Sequence, residues 1–468
     1  MLKSLSFILD QITPITIYSK LKSLFPEEVS LLFESGEGGS FSFILIGAKE
    51  RIQYSNRKTI FTFDDGRVEE TDRNPFQILK EYYSKLDKEY YKKESAKLDI
   101  GFIDGFIGYI GYEAIELFEP VLTPYIDQLA NQIDIPDIDL IRPKLVIAYS
   151  HKNSRLTLIS SEANIVEKFE TIEEILKSEI EYLPLKKAVP KGIGEFLHSE
   201  EKFFKMVADS KEMIKSGDVF QILISNRYIQ EFEEIDPFSF YRVLRSKNPS
   251  PYMFYMDYID FQIAGSSPEV MVKLFENEIL LRPIAGTRKR GKNLKRDLEL
   301  EKELISDPKE RAEHLMLIDL GRNDVGRVAK AGSVRVPNIM RVERYSHVMH
   351  MVSDIYGELD KQFDMFDLLK ATFTAGTMTG APKIRAMELI AQFEGIKRNF
   401  YSGTVGYFGF DGNMDSSIAI RTALIKDRKV YIQAGAGIVA DSVDRLEALE
   451  VRNKMNALIS TLKDLQTL

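Results

Sequence analysis

Arg282-Pro283-Ile284-Ala285-Gly286-Thr287-Arg288-Lys289-Arg290-Gly291 opens just after an apolar strand, Ile279 to Leu281, closes on a glycine and carries four cations. Glycine lets a ligand approach the backbone with no Cβ in the way, and Thr287 offers a hydroxyl and an N–H that suit a carboxylate. The run has the make-up of an anion-binding turn. A solvated basic surface turn has the same composition, so the residues on either side decide between the two.

Composition narrows the classes first. The chain has 468 residues of which 44% are hydrophobic, enough to bury a large core and to build two or three structural units. Its 63 Lys and Arg against 71 Asp and Glu leave a net charge of −8, the wrong sign for a nucleic-acid binder. There is no cysteine, which excludes disulfides, thiolate metal sites and a cysteine nucleophile together. Any metal must then be held by oxygen or imidazole. Met1 to Asp10 carries charge where a signal peptide's apolar core would run, and no uncharged stretch approaches ~18 residues. A cytoplasmic protein with no membrane contact is expected.

On the N-terminal side, Phe41 to Gly47 and Leu145 to Tyr149 are predicted strands, rich in β-branched and aromatic residues. Leu31 to Gly39 reads as a strand end or hairpin running into a glycine loop. Gly101 to Glu113 spaces glycines through aromatics, as where helix and sheet backbones pack closely. Ala163 to Glu181 predicts an exposed helix. Leu183 to Gly194 holds two prolines, two glycines and three lysines and predicts a linker, which divides the chain into domains 1–190 and 195–468. Beyond it Ser199 caps a helix with Glu200 and Glu201 in its first turn and Gly217 at its end. Val219 to Ser225, Tyr252 to Met256, Thr404 to Phe410 and Val430 to Gln433 are further predicted strands.

Several runs have the composition of a chemical site. Asp307-Pro308 starts a helix by the N-cap and proline-at-N1 rule, which puts Glu310 and Glu313 on one face. Ser442 opens a second helix with Glu447, Glu450 and Lys454 on one stripe. Each Glu-x-x-Glu face alone is also what a wet helix surface looks like. If the two oppose each other, the carboxylates repel unless a cation lies between them, and hard oxygen donors suit Mg²⁺. Gly435-Ala436-Gly437-Ile438-Val439-Ala440 matches the G-x-G-x-x-G/A pattern after a strand. A Rossmann unit would need a further parallel strand and an acidic residue roughly 20 positions on, and only a long C-terminal helix follows. The N–H groups of such a turn could bind a carboxylate instead. Ala375 to Lys383 places Thr377, Thr379 and two glycines before a proline-started helix, another small-anion cradle. His347 and His350 lie in an apolar run, where a histidine is either a hydrogen-bonded core group or a catalytic one.

Taken in order, Gly265 to Glu269, Arg282 to Gly291, Asp319-Leu320-Gly321-Arg322-Asn323-Asp324, Ala375 to Lys383, Gly412 to Thr422 and Gln433 to Gly437 resemble the chorismate-utilising enzymes. The likeness is greatest to the anthranilate synthase large subunits and covers the region after Ser199, with a thinner match before it. It implies an α+β fold of two facing antiparallel β-sheets with helices packed outside and the active site in the cleft. It implies amination of chorismate at ring carbon 2, loss of the 4-hydroxyl and elimination of pyruvate to give anthranilate. Glu313 and Glu450 would be Mg²⁺ ligands with Glu310 and Glu447 close by. Gly286, Thr287, Tyr401, Arg421, Gly435, Ala436 and Gly437 would contact chorismate, and Lys454 would add positive charge. Thr377 and Glu269 would line the reacting centre. His350 would be the general acid, since hydroxide is a poor leaving group and an imidazole can protonate it.

Two positions separate activities within the family. Aminodeoxychorismate synthases commonly carry a lysine nucleophile where Ala285 stands, and alanine cannot act so. Isochorismate and salicylate synthases resemble the chain too, but place a water-activating lysine where Gln221 lies, and an amide has no basic nitrogen. Both favour anthranilate synthase over the alternatives, an aminodeoxychorismate synthase large subunit or a non-catalytic tryptophan-sensing subunit. Family large subunits take ammonia from a glutamine amidotransferase small subunit whose cysteine attacks glutamine, and this chain has none. Such a partner, or free ammonium, must then be the source, and the resemblance implies a hetero-oligomer of the heterotetramer kind. Ser35, Pro251, Tyr252 and Met253 resemble contacts of a tryptophan feedback site. Around it Phe33 stands for a usual leucine, Ser40 for a basic residue, and Phe43 to Gly47 is lengthened. In the opening run Lys289 stands where proline is usual.

Overall fold

Two long strands, Phe41–Ser55 and Ile138–Ser150, lie side by side and set the architecture. The computed structural model describes residues 1–36, 39–344 and 348–468; Glu37, Gly38 and His347, all in runs singled out above, lie outside the described residues. The long pair is antiparallel from Phe41 opposite Ser150 to Tyr54 opposite Ile138, and its register slips between Ala48 and Glu50. Pro143 faces Ala48 at that point, where a missing N–H is tolerated because the ladder is already broken.

The slip is where two sheets part. On one side of it the pair is flanked by Ser30–Glu34 and Arg155–Ser160. The first continues antiparallel through Tyr252–Asp257, Phe261–Ser267, Thr422–Lys426, Lys429–Ile438 and Gln221–Glu234. On the other side the flanking strands are Lys58–Thr62 and Gly105–Ile110. Gly105–Ile110 leads on to Thr404–Gly409, Met414–Ile418, Val270–Phe275, Glu278–Leu281 and Ile355–Glu358. Each sheet thus joins a block of strands from before the predicted linker to a block from after it, at Ser30–Glu34 beside Tyr252–Asp257 in one and at Gly105–Ile110 beside Thr404–Gly409 in the other.

Side-chain alternation explains why the sheets face each other. Leu31, Leu45, Phe254, Met256, Ile263 and Leu424 of one sheet share a core with Phe106, Met271, Val272, Val405 and Phe408 of the other. Their neighbours Leu32, Ile44, Ile46, Tyr255, Ala264 and Ile425 turn to the opposite face. There they pack on Ile17 and Leu21 of Pro14–Leu24, on Phe203 and Met206 of Glu200–Lys215, and on Met455 and Leu458 of Asp444–Gln466. The expected class, two facing antiparallel sheets with helices outside, is what the chain adopts.

Three local expectations are revised. The glycines of Gly101 to Glu113 serve strand-to-strand contact rather than helix-to-sheet contact: a Cβ on Gly105 would lie 2.2 Å from the Phe408 carbonyl oxygen, and one on Gly108 2.1 Å from that of Asp139. The helix expected over Ala163 to Glu181 is two pieces, Ala163–Val166 and Phe169–Lys177. The predicted linker is tied down, with Ala188 N–H donating to Leu465 O at 2.9 Å and Val189–Pro190 pairing with Gln221–Glu234.

Candidate active site

The stretch that opened the sequence reading is itself a strand. Ile284–Lys289 pairs with Val348–Val352, which pairs in turn with Arg341–Arg344, as a separate three-stranded sheet. Gly286 makes this possible. Its φ of +69° suits glycine, and the register bulges between Ala285 and Thr287, which brings Thr287 opposite His350. His350 Nδ1 then lies 3.1 Å from the Gly286 carbonyl and 3.1 Å from Thr287 Oγ1. A carbonyl only accepts, so in this hydrogen bond Nδ1 carries the proton, and in the neutral ring Nε2 keeps a lone pair. Burial pushes the His350 pKa below its ordinary value, the Gly286 bond opposes this, and Arg421 pushes the same way as burial.

Both acidic faces form. Asp307 caps the helix Pro308–Gly326 by accepting from Lys309 N–H at 3.0 Å and Glu310 N–H at 3.3 Å. Burial holds the Glu313 carboxyl above its usual range, repulsion from Glu310 adds to this, and Glu450 contributes from the other helix. Glu310 is tethered by Arg288 at 2.9 Å. The C-terminal helix is Asp444–Gln466, so it begins two residues later than expected. Ser442 does not cap it; its hydroxyl accepts from Val439 N–H at 3.1 Å and bonds the Glu447 carboxylate. Glu447 is raised mainly by burial, with Glu450 adding repulsion and Lys309, which also faces Glu313, opposing it. The two Glu-x-x-Glu faces therefore sense each other across the cleft.

Lys454 joins the second face to the sheet. Its Nζ lies 2.7 Å from Glu450 Oε1 and donates to Gly435 O at 2.9 Å, while Arg421 donates to Lys454 O at 2.5 Å. Gly435-Ala436-Gly437 is no turn. It continues the strand Lys429–Ile438 opposite Ser225, Ile224 and Leu223. A Cβ on Gly437 would lie 2.6 Å from Gln221 Nε2, so glycine there lets Gln221 cross the strand and donate to Glu313 Oε1 at 3.4 Å. Tyr401 is buried beside Arg421, and burial raises its phenol well above the ordinary value. Thr377, in the short turn Gly376–Met378, donates to Glu269 Oε1 at 3.0 Å. Burial lifts the Glu269 carboxyl to about 7, with the Thr377 bond and the Lys454 charge opposing it. All the residues expected at the substrate and metal therefore fall in one neighbourhood, linked through Lys454, Arg421 and Gln221.

The profile of the chorismate binding enzyme family matches residues 28–460. The chain belongs to that family. Anthranilate synthase component 1 of Aquifex aeolicus (strain VF5) is 42% identical over 97% of the chain and 93% of its own length. The anthranilate synthase component I structure from Streptococcus pneumoniae TIGR4 superposes with a TM-score of 0.77 at 34% identity, covering 90% of this chain and 92% of that one. The menaquinone-specific isochorismate synthase MenF of Escherichia coli shares the fold, with a TM-score of 0.72 at 18% identity over 99% of this chain and 95% of that one. The expected likeness to the anthranilate synthase large subunits is borne out, and with it an enzyme of the chorismate-utilising kind. Among the described residues no helix is long and apolar enough to cross a membrane.

Beside this family site lies a second, larger cavity of about 640 Å³, and Ser35, Pro251, Tyr252 and Met253 all line it. Arg282, Arg344, Lys273, Glu34, Glu343 and Asp415 supply its charges, and Phe41 and Tyr407 stand among its aromatic walls. Its rim is braced by Glu34, which accepts from Arg245 at 2.9 and 3.0 Å and from Tyr241 at 2.7 Å, and Tyr252 donates to Asp415 at 2.8 Å. Glu343, which lines this cavity, is the register partner of His350 on the adjacent strand. Two buried pairs were not singled out from sequence. Arg398, 1% exposed at its side chain, binds Glu394 at 2.6 Å and donates to Met378 O at 2.9 Å and Leu223 O at 3.0 Å. Lys383 binds Asp324 at 2.9 Å. Asp324 and Lys383 had a visible signal, since each ends one of the quoted motifs.

Proposed function

We propose that the chain is an anthranilate synthase large subunit, which aminates chorismate at ring carbon 2 with ammonia from a glutamine amidotransferase partner and then eliminates pyruvate. The observation that carries this reading is the pair of side chains at the branch points. Ala285 lies in the bulged strand opposite Met351 and offers no nucleophile, and Gln221 is an amide engaged with Glu313. Ammonia needs neither a lysine nucleophile nor an activated water.

The acidic faces suit Mg²⁺. Glu313, Glu310, Glu447 and Glu450 are hard oxygen donors that repel one another, and a cation relieves that repulsion. Among the described residues no three Asp, Glu or His side chains close a metal shell by themselves. That fits an ion that is held by one or two carboxylates, here Glu313 and Glu450, and completed by water and ligand oxygens. When bound it would neutralise the substrate's ring carboxylate. Gly286, Thr287, Tyr401, Arg421 and the Gly435 to Gly437 strand would orient the ring. His350, held through Nδ1 by Gly286, would present Nε2 to the departing hydroxyl; burial lowers its pKa, so its imidazolium gives up a proton more readily than an ordinary one. Glu269, near 7, can take or give a proton at the same centre. Residues 195–468 would form the chorismate half, and residues 1–190 would contribute Ser35 to a tryptophan feedback site in the larger cavity. A cytoplasmic location follows from the same reading.

The test is product identity. Purified protein with chorismate, Mg²⁺ and ammonium should develop anthranilate fluorescence, and aminodeoxychorismate or isochorismate as sole product refutes the assignment.

A further inference from the structure

Two of the quoted motifs end on one small cavity whose purpose the chemistry above leaves open, and a third reaches it through Ala375 to Thr377. A space of about 30 Å³ is lined by Glu269, Thr377, Leu320, Gly321, Asp324 and Arg282, among others. Glu269 closes the Gly265 to Glu269 run, Asp324 the Asp319 to Asp324 run, and Lys383, 2.9 Å from Asp324, the Ala375 to Lys383 run. Asp324 sits on the stripe of Pro308–Gly326 that begins with Glu310 and Glu313 and continues through Leu317, Leu320 and Gly321. The active-site face of that helix thus runs back into the cavity.

We propose that this cavity binds a single water molecule that passes protons between the Glu269 carboxyl and the Asp324–Lys383 pair. The proposal rests on the catalytic reading of Glu269. The space holds one water and little more, and polar partners lie in its lining, which is what an internal water requires. Thr377 occupies Glu269 Oε1, so the second carboxylate oxygen can serve the water. Glu269 and Asp324 are 9% and 4% exposed, so both ends of the relay are largely shielded from bulk water. The charged groups facing the relay are Lys454 at the Glu269 end, Lys383 and Arg327 at the Asp324 end, and Arg282 on the wall, itself held by Asp354 at 2.7 Å.

The balance is simple. When Glu269 has taken a proton from the substrate, it gives one to the water as the water gives one of its own to the Asp324 carboxylate; Asp324 passes that proton to Lys383 as Lys383, with a side chain 13% exposed, releases one of its own to solvent. No hydroxide accumulates. The same bonds run backwards resupply Glu269 after it has acted as an acid.

Two variants test this. Asp324→Asn combined with Lys383→Met removes the far end of the relay without stranding a buried charge, and Ala375→Val fills the cavity with both carboxyls in place. Each should lower kcat about tenfold, leave the chorismate KM within about twofold, and enlarge the solvent deuterium isotope effect on kcat. Unchanged kcat in both overturns the proposal. So does a kcat loss that follows a lowered Tm while the isotope effect keeps its wild-type value. A high-resolution crystal structure supplies a readout independent of turnover: a water bonded to both Glu269 and Asp324 is expected, and a cavity without one overturns the site. If the wild type makes no anthranilate, the functional reading fails and the crystal structure still decides the water site.

Discussion

Replacing Glu269 by glutamine should make the protein more stable above neutral pH and nearly inactive. The carboxyl is buried beside Thr377, and burial moves it from an ordinary 4.5 to about 7. The native state therefore binds one more proton than the unfolded chain between those two values. Stability from this group is present below 4.5, is lost as pH rises through the window, and stays lost above 7. At about 1.4 kcal/mol per pH unit the loss is about 3 kcal/mol. Glutamine keeps the shape and never ionises, so the variant escapes that loss. With an unfolding entropy of about 2.1 cal/mol/K per residue, a chain of 468 residues changes its Tm by about 1 °C per kcal/mol. The difference in Tm between variant and wild type should thus grow by about 3 °C from pH 4.5 to pH 7.5, measured by thermal scanning in matched buffers. Glu113, also raised to about 7 by burial, is present in both proteins and cancels. Turnover of chorismate should fall by roughly 10²–10⁴-fold over the same range. A Tm difference that does not vary with pH would refute the reasoning, because it would mean that Glu269 ionises in the folded protein as freely as in the unfolded one.

Glu313→Gln should abolish metal-dependent turnover with the fold intact, since a carboxylate surrounded by like charge is lost, and unchanged activity in a Mg²⁺ titration removes Glu313 from the site. Gly286→Ala should cost roughly 1–2 kcal/mol of stability for a Cβ at positive φ. Its new atom would lie 2.9 Å from Glu310 Oε2 and 2.9 Å from Leu304 Cδ1, so His350 shifts with the bulge and kcat falls; a kcat equal to wild type contradicts this. Arg398→Leu strands the Glu394 carboxylate in the core and should destabilise by about 3–5 kcal/mol, with partial recovery in the double variant carrying Glu394→Gln, as read by denaturant unfolding. Tyr252→Ala should weaken tryptophan inhibition while chorismate turnover in its absence persists, since Tyr252 lines the larger cavity.

Much of the local structure was legible in the order of residue types. The caps at Ser199 and Asp307 act as expected because an N-cap depends on side chain and backbone only a few residues apart. The strand expected at Val430 to Gln433 exists but runs on to Ile438, because Gly435 to Gly437 pair in the ladder against Gln221–Glu234. The basic run Arg282 to Gly291 was legible as a ligand-facing element and not as a strand. What makes it one is pairing with Val348–Val352, some sixty positions away, and no local pattern records a partner at that distance. Three of its four cations are spent on carboxylates, Arg282 on Asp354, Arg288 on Glu310 and Asp307, and Arg290 on Asp297.

The sequence by itself determined the chemistry on offer: hard oxygen donors without a thiol, a ligand-facing glycine beside a threonine, and Ala285 and Gln221 where other family activities keep lysine. These are properties of residue type and spacing, and they survive without coordinates. Only the tertiary structure decided that the two Glu-x-x-Glu helices oppose each other, that Gln221 reaches Glu313 across Gly437, and that strands from both halves of the chain join in the same sheets. The reason is physical. Those outcomes depend on which buried faces fit together at close packing density, a condition on residues far apart in the chain that local propensity does not encode.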